Sequence, residues 1–244
     1  MKPLFASFSP GTGLRLVFLA AFWLAPPWGL RAEPPPVLAP QTRCQACDFQ
    51  GQFLPKAQAR EADLREANFF RTTLSDADFA QADLSQADLS QATLRDANLT
   101  RARLHETSCK GTIFSGAQAP GAEFDRAELE RATFTQAQLQ GASFDTVQAE
   151  AASFALADLS GANLFRAMLF RGDLHGANLK GANLKEAILF RANLSQADLS
   201  QANLAGANLF QAEMQGTILT GADLSGTRMP EGRICASPSI GGCN

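Results

Sequence analysis

The sequence predicts an all-β solenoid, because one five-residue motif repeats from Ala46 to about Pro230. A large apolar residue, nearly always Leu or Phe, occupies every fifth position, and a small residue, usually Ala, lies two positions before it. The 185 residues of this segment divide into 37 pentads without an insertion. A short, unbroken period is typical of a solenoid, in which each unit buries its apolar residues against its neighbours.

The five-residue period also excludes a long strand and an α-helix. In a strand, Ala62 and Leu64 would point inward and Asp63 outward, but an odd period reverses this alternation at every repeat. In an α-helix, a step of five residues leaves a net rotation of about 140°, which spreads the leucines around the axis. The chain must therefore turn a corner about every five residues.

The motif resembles that of the pentapeptide-repeat proteins, whose unit is A-(D/N)-L-x-x. Residues 82–90, A-D-L-S-Q-A-D-L-S, match this unit closely, and the resemblance covers about three quarters of the chain. It implies a right-handed quadrilateral β-helix with four pentads, or 20 residues, in each coil. Residues 46–230 would then form about nine coils of this pentapeptide-repeat β-helix.

A 20-residue coil predicts columns of aromatic side chains along the axis. Phe114, Phe134 and Phe154 fall in one column, and Phe124 and Phe144 fall in the column two sides away. Rings on opposite walls need space, and the intervening columns provide it with small residues where Leu is usual. These are Cys109, Ala119 and Ala149. Such compensation of volumes is what a close-packed interior requires.

The first 32 residues have the pattern of a signal peptide. Lys2 and Arg15 precede a wholly apolar run from Leu16 to Leu24, and we place the cleavage after Ala32. The run is shorter than the roughly 20 apolar residues that span a bilayer, although an uncleaved anchor or a misassigned start codon are alternatives. We therefore expect a periplasmic or secreted protein with no membrane span in the mature chain, in which residues 33–45 form a Pro-rich spacer before the repeats.

The charge of the mature chain argues against nucleic-acid partners. The leader removes three basic residues and no acid, so that 18 basic and 24 acidic residues remain, a net charge of −6. A mildly acidic protein has no electrostatic attraction for DNA or for anionic lipid.

Four of the five cysteines lie at the two ends of the repeats. In an oxidising compartment Cys44 and Cys47 could close a tight loop, and Cys235 and Cys243 could staple the C-terminal cap, residues 231–244. A redox or zinc site is the alternative for C-x-x-C, but no βαβ pattern and no second C-x-x-C accompany it. Pentads 51–55 and 56–60 match the motif poorly, so we expect regular coils to begin near Glu61.

One cluster of outward positions departs from the polar surface of the repeats. Phe170, Phe190 and Phe210 are spaced by 20 residues, and Met168 and Ile188 occupy the adjoining outward position of the same side. Five large apolar side chains on one face predict an interface for a protein partner or for self-association. The alternative is an aromatic ladder that only stabilises the stacking of coils.

No constellation of residues predicts an enzyme, a metal site or a cofactor site. His105 and His175, the two histidines, fall on different sides and several coils apart, and the glycines of the array lie singly. Two functions remain. The first is an exported, non-enzymatic scaffold or protein-interaction module. The second is implied by the resemblance: some cytoplasmic members mimic a DNA duplex and bind a type II topoisomerase. The leader, the modest charge and a set of arginines oppose it. These are Arg101, Arg103, Arg126 and Arg131.

Overall fold

The described chain is a four-sided β-helix with coils of 20 residues. A computed structural model describes residues 38–244, so the predicted signal peptide and the first residues of the spacer lie outside the described residues. Single-residue parallel bridges join residue i to residue i+20, from the pair Arg43–Asp63 to the pair Asn208–Arg228. Together they give about nine coils, as predicted.

Each side of the rod is one column of these bridging residues. Side 1 runs from Arg43 to Asp223, side 2 from Asp48 to Arg228, side 3 from Phe53 to Glu213, and side 4 from Gln58 to Ile218, each in steps of 20 residues. Two corner residues separate one side from the next. The corner that follows side 2 consists of residues 170 and 171 and of the residues that precede and follow them in steps of 20. We call it the side-2 corner.

The corners are tight turns closed by the backbone. The Ala67 N–H donates to the Leu64 carbonyl at 3.1 Å, and the second corner residue between them, Glu66, has a φ of 61°. A positive φ at the third residue alone is the pattern of a type II turn. Gly176 occupies this position under Leu156, where a Cβ would lie 2.8 Å from the leucine Cδ2, so a larger residue there would displace the exposed end of that side chain.

In many pentads an Asp or Asn completes the backbone hydrogen bonding. The N–H of the first corner residue makes no bond to the backbone of another coil, and the side chain two residues before accepts it, as Asp83 does from the Ser85 N–H at 3.1 Å. The other N–H groups of the pentad mostly donate to neighbouring coils or across the turn. A short polar side chain at this position therefore satisfies a donor that the coil geometry leaves without a partner.

The core contains the predicted aromatic columns. Phe134 stacks on Phe114 at 4.6 Å and on Phe154 at 4.8 Å, measured between ring centroids, and Phe124 stacks on Phe144 at 4.9 Å. Rings of the two columns meet edge to face across the axis, at 5.6 to 5.9 Å. The small residues of the intervening columns are fully buried. These are Cys109, Ala119 and Ala149.

The coils begin earlier than the sequence motif suggests. Arg43 already bridges to Asp63, and the pairing continues through residues 51–60, which we expected to be irregular. The reason is that bridges and turns use backbone atoms, so Gln52 and Ala59 weaken the motif without breaking the coil. The bridged backbone thus starts at Arg43, three residues before the predicted boundary at Ala46.

The C-terminal segment folds back over two sides of the last coil. Ile234 and Ile240 form antiparallel bridges with Arg228 on side 2 and Asp223 on side 1. The Leu224 N–H donates to the Ser239 carbonyl at 2.7 Å, in place of a further coil. Residues 231–244 therefore cover the backbone of half of this end.

Candidate functional site

The apolar surface predicted from the sequence lies on side 2 and its corner. Met168 and Ile188 form consecutive bridges on side 2, and 47% and 40% of their surfaces are exposed. Gln148 precedes them on this side and Asn208 follows. The two side chains thus form an apolar strip two coils long on an otherwise polar side.

The three phenylalanines of the side-2 corner are half-buried and stacked on one another. The ring centroids of Phe170 and Phe190 are 5.4 Å apart with an interplanar angle of 13°, and those of Phe190 and Phe210 are 5.8 Å apart with an angle of 10°. The aromatic ladder considered as the alternative is therefore a feature of the structure. It is compatible with an interface, since the aliphatic side chains beside it remain exposed.

Arginines cover the outer faces of these rings. The guanidinium carbons of Arg171 and Arg191 lie 5.3 and 5.0 Å from the centroids of the preceding phenylalanine rings, and that of Arg228 lies 4.1 Å from the centroid of Phe210. These are cation–π distances. Among residues 38–244, none of these three arginines forms an ion pair. The surface is therefore apolar in its centre and positive at its edge.

Our sequence reasoning missed these arginines, although a signal for them was present. The dipeptide Phe-Arg recurs at the corner positions, and in each case the arginine folds back over the ring of its own neighbour. The four pairs are Phe70–Arg71, Phe165–Arg166, Phe170–Arg171 and Phe190–Arg191. Arg228 could not be found this way, because it reaches its ring from the next coil.

Towards the N-terminus, the same side is acidic. Glu128 lies on side 2 and forms an ion pair with Lys110 at 3.0 Å, and Glu130 and Glu150 follow it at the side-2 corner. The Oε2 atom of Glu130 is buried and has no hydrogen-bond partner within the described chain. Side 2 therefore changes along the rod from acidic to apolar and basic.

The two histidines lie on different coils and each contacts a polar side chain. His105 Nε2 lies 2.7 Å from Glu123 Oε2, and His175 Nδ1 lies 2.9 Å from Ser195 Oγ, on different coils. A shallow cavity of about 330 Å³ lies beside His105 and is lined by charged side chains. No group of three or more potential ligands within residues 38–244 has an arrangement that could hold a metal ion. The same residues contain no helix long and apolar enough to cross a membrane.

The four terminal cysteines lie in pairs at disulfide distance. Cys44 and Cys47 close the first corner, with their Cα atoms 5.4 Å apart, and Cys235 and Cys243 join the two arms of the C-terminal segment, at 4.9 Å. Cys109 is free and fully buried, and burial raises the pKa of its thiol well above the ordinary value. A thiol that is neutral and enclosed is inert, so Cys109 serves packing.

Fold and repeat together define a β-helical repeat solenoid, and the comparison with protein families identifies which one. The family model for pentapeptide repeats matches eight copies along the chain, over residues 42–81, 72–108, 82–118, 107–145, 150–186 and 187–226. These matches cover well over half of the chain. The protein belongs to the pentapeptide-repeat family.

The chain is also similar to solved structures of pentapeptide-repeat proteins. Full-length QnrB1, described as a plasmid-mediated fluoroquinolone resistance protein, is 19% identical, with 77% of this chain and 92% of that chain covered and a TM-score of 0.51. HetL of Nostoc sp. strain PCC 7120, involved in heterocyst differentiation regulation, is 27% identical over 80% and 92% of the chains, with a TM-score of 0.38. No curated protein matches the sequence. The fold is the right-handed quadrilateral β-helix of this family.

Proposed function

We propose that this protein is an exported, non-enzymatic scaffold that binds a protein through the apolar surface of side 2. The observation that carries the proposal is the exposure of Met168 and Ile188 beside the stacked rings of the side-2 corner, whose arginines form no ion pair within residues 38–244. An aromatic and aliphatic centre with arginine at its edge has the composition of protein interfaces. Within the described chain, Phe53, Leu156 and Ile218 are also exposed, but they lie on separate coils, and Ile234 and Ile240 belong to the C-terminal segment.

The binding surface can be tested with one variant and one matched control. Ile188→Ser removes an exposed aliphatic side chain from side 2, and Leu156→Ser removes one that is 54% exposed on another corner. Proteins cross-linked to the parent in cells should also be cross-linked to the Leu156→Ser variant and be lost from the Ile188→Ser variant. If all three proteins capture the same partners with the same circular dichroism, side 2 is not the binding surface.

Export is a separate part of the proposal. It is supported by the signal-peptide pattern of the N-terminus and by the two cysteine pairs at disulfide distance, because disulfides form and persist in oxidising compartments. The mass of the protein recovered from fractionated cells should correspond to a chain that begins at Glu33 and carries two disulfides. An unprocessed chain in the cytoplasm would overturn this part.

The second candidate function is protection or inhibition of a type II topoisomerase. Residues 41–160 carry 17 acidic and 11 basic residues, an acidic excess that favours a duplex mimic. However, arginines neutralise much of it: Arg103 lies 3.6 Å from Asp83, and Arg126 lies 3.4 Å from Glu106. A gyrase supercoiling assay with the purified protein tests this function. If the protein, at stoichiometric concentration, neither inhibits gyrase nor protects it from a quinolone, this function is excluded.

A further inference from the structure

Side 2 is complementary to itself when two rods lie antiparallel. We infer that the apolar surface of side 2 binds a second copy of this chain. The two copies are related by a two-fold axis that lies in the plane of the contact, perpendicular to the rod, midway between Met168 and Ile188. This inference rests on the proposed function and names the partner. In a two-fold dimer, every contact between residue i of one copy and residue j of the other occurs twice, so one such pair of residues fixes the register of the whole contact.

The apolar residues pair in this register. Met168 and Ile188 lie on neighbouring coils, and the axis passes midway between them. Met168 therefore comes opposite Ile188 of the second copy, and Phe170 comes opposite Phe190 of the second copy. The aliphatic strip and the inner edges of the ladder are then covered by equivalent apolar atoms. The exposed surface that side 2 leaves in the single chain is removed from water at the centre of the contact.

The charges at both ends of the contact also pair. One coil farther out, Glu150 comes opposite Phe210 of the second copy, whose ring is covered by the Arg228 guanidinium. Two coils out, Glu128 comes opposite Arg228 of the second copy, and Arg131 comes opposite Glu231 of the second copy. Within the described chain, Glu150, Arg131 and Arg228 form no ion pair. An antiparallel copy thus brings the acidic part of side 2 opposite the basic part, where Glu128 and Glu231 also keep the ion pairs with Lys110 and Arg233 of their own chain.

One feature opposes the contact and limits its strength. Arg171 and Arg191 of the two copies approach one another, although they lie on the exposed corner, where salt screens them. The overlap covers about five coils, or roughly 24 Å of rod, which is a small interface. We therefore expect a weak dimer, with a Kd on the order of 10 µM.

Sedimentation of the purified mature chain tests the dimer and its register. The parent should change from monomer to dimer between about 1 and 200 µM, and Ile188→Ser should weaken the dimer at least about tenfold. Arg228→Glu and Glu150→Arg should each weaken it roughly tenfold, because each places like charges at both ends. An equimolar mixture of these two variants should bind more tightly than either variant alone, since in the mixed dimer position 150 faces a charge of opposite sign at both ends and the introduced carboxylate faces Glu128 at one end only.

Arg95→Glu is the matched control, because it makes the same charge change at an exposed position on another corner. It should leave the dimer unchanged. A parent that stays monomeric at about 200 µM, or a mixture that stays as weak as its components, overturns the antiparallel dimer. Neither result affects the proposed function if cross-linked partners are still lost with Ile188→Ser. Conversely, partners that persist in that variant overturn the proposed function while sedimentation decides the dimer separately.

Discussion

The protein contains two kinds of phenylalanine column, one inside the rod and one on its surface, and both have the 20-residue spacing. In the core, Phe134 stacks on its neighbours at 4.6 and 4.8 Å and also meets rings of the opposite wall edge to face. At the side-2 corner, Phe190 stacks at 5.4 and 5.8 Å and has an arginine on its outer side. The spacing alone therefore creates a stack but does not decide what the stack does.

The difference comes from the position within the pentad. A ring at the large apolar position is enclosed by four walls, and its separation from the next ring is set by the spacing of coils, about 4.8 Å. A ring at the corner, such as Phe190, stacks on the rings of neighbouring coils but is only half-buried, so part of it remains available to a partner. The core column should consequently carry stability, and the corner column should carry recognition.

The largest effect should follow truncation of the core column. Phe134→Ala leaves a cavity on the axis and removes contacts with two stacked rings and two edge-on rings. We expect a loss of about 3 to 5 kcal/mol in the free energy of unfolding. Urea unfolding followed by circular dichroism measures it. A loss below that of Phe190→Ser would reverse the assignment of the two columns.

Overpacking of the core should have a smaller effect. Ala119 is fully buried in a column next to the core rings, and its small side chain gives those rings their space. Ala119→Phe should therefore cost about 1 to 3 kcal/mol through displaced side chains. The same unfolding experiment measures this change. Unaltered stability would show that the interior has free volume beside Ala119, contrary to the volume compensation between columns.

Most of the fold could be predicted from the sequence because the motif is set by packing. The position of Leu64, the partner of Asp63 in the next coil, and the stacking of Phe134 all follow from a 20-residue coil. The start of the coils could not be predicted, since bridges such as Arg43–Asp63 depend on the backbone and leave no mark on the side chains. On the surface, the apolar positions were found, but the guanidinium of Arg228 over Phe210 was not, because side-chain direction at a corner depends on the neighbouring coil.

The surface column should contribute little to stability. Phe190→Ser removes two stacking contacts and one cation–π contact, whereas Phe70→Ser, at the same corner, removes only a cation–π contact with Arg71 at 4.9 Å. We expect Phe190→Ser to cost about 1 kcal/mol more than Phe70→Ser, measured at protein concentrations below those of self-association. Equal losses would mean that the corner rings gain nothing from stacking, which would leave binding as their one role.

The smallest effect at neutral pH concerns the polar position that lies between core and surface. The hydroxyl and N–H of Ser200 donate to Asp198, and these bonds hold the pKa of the Asp198 carboxyl below its usual range. Because the pKa is lower in the folded state, this stabilisation is present above about pH 4 and is lost as the pH falls through the folded pKa. Asp198→Asn should change stability at pH 7 by less than about 0.5 kcal/mol, since Asn193 accepts the equivalent bond from the Ser195 N–H at 3.0 Å. Between pH 5 and about pH 2 the variant should lose less stability than the parent, as measured by urea midpoints. A steeper loss in the variant would show that the position needs a charge and not only an acceptor, and that the Asp and Asn of the repeat are not equivalent.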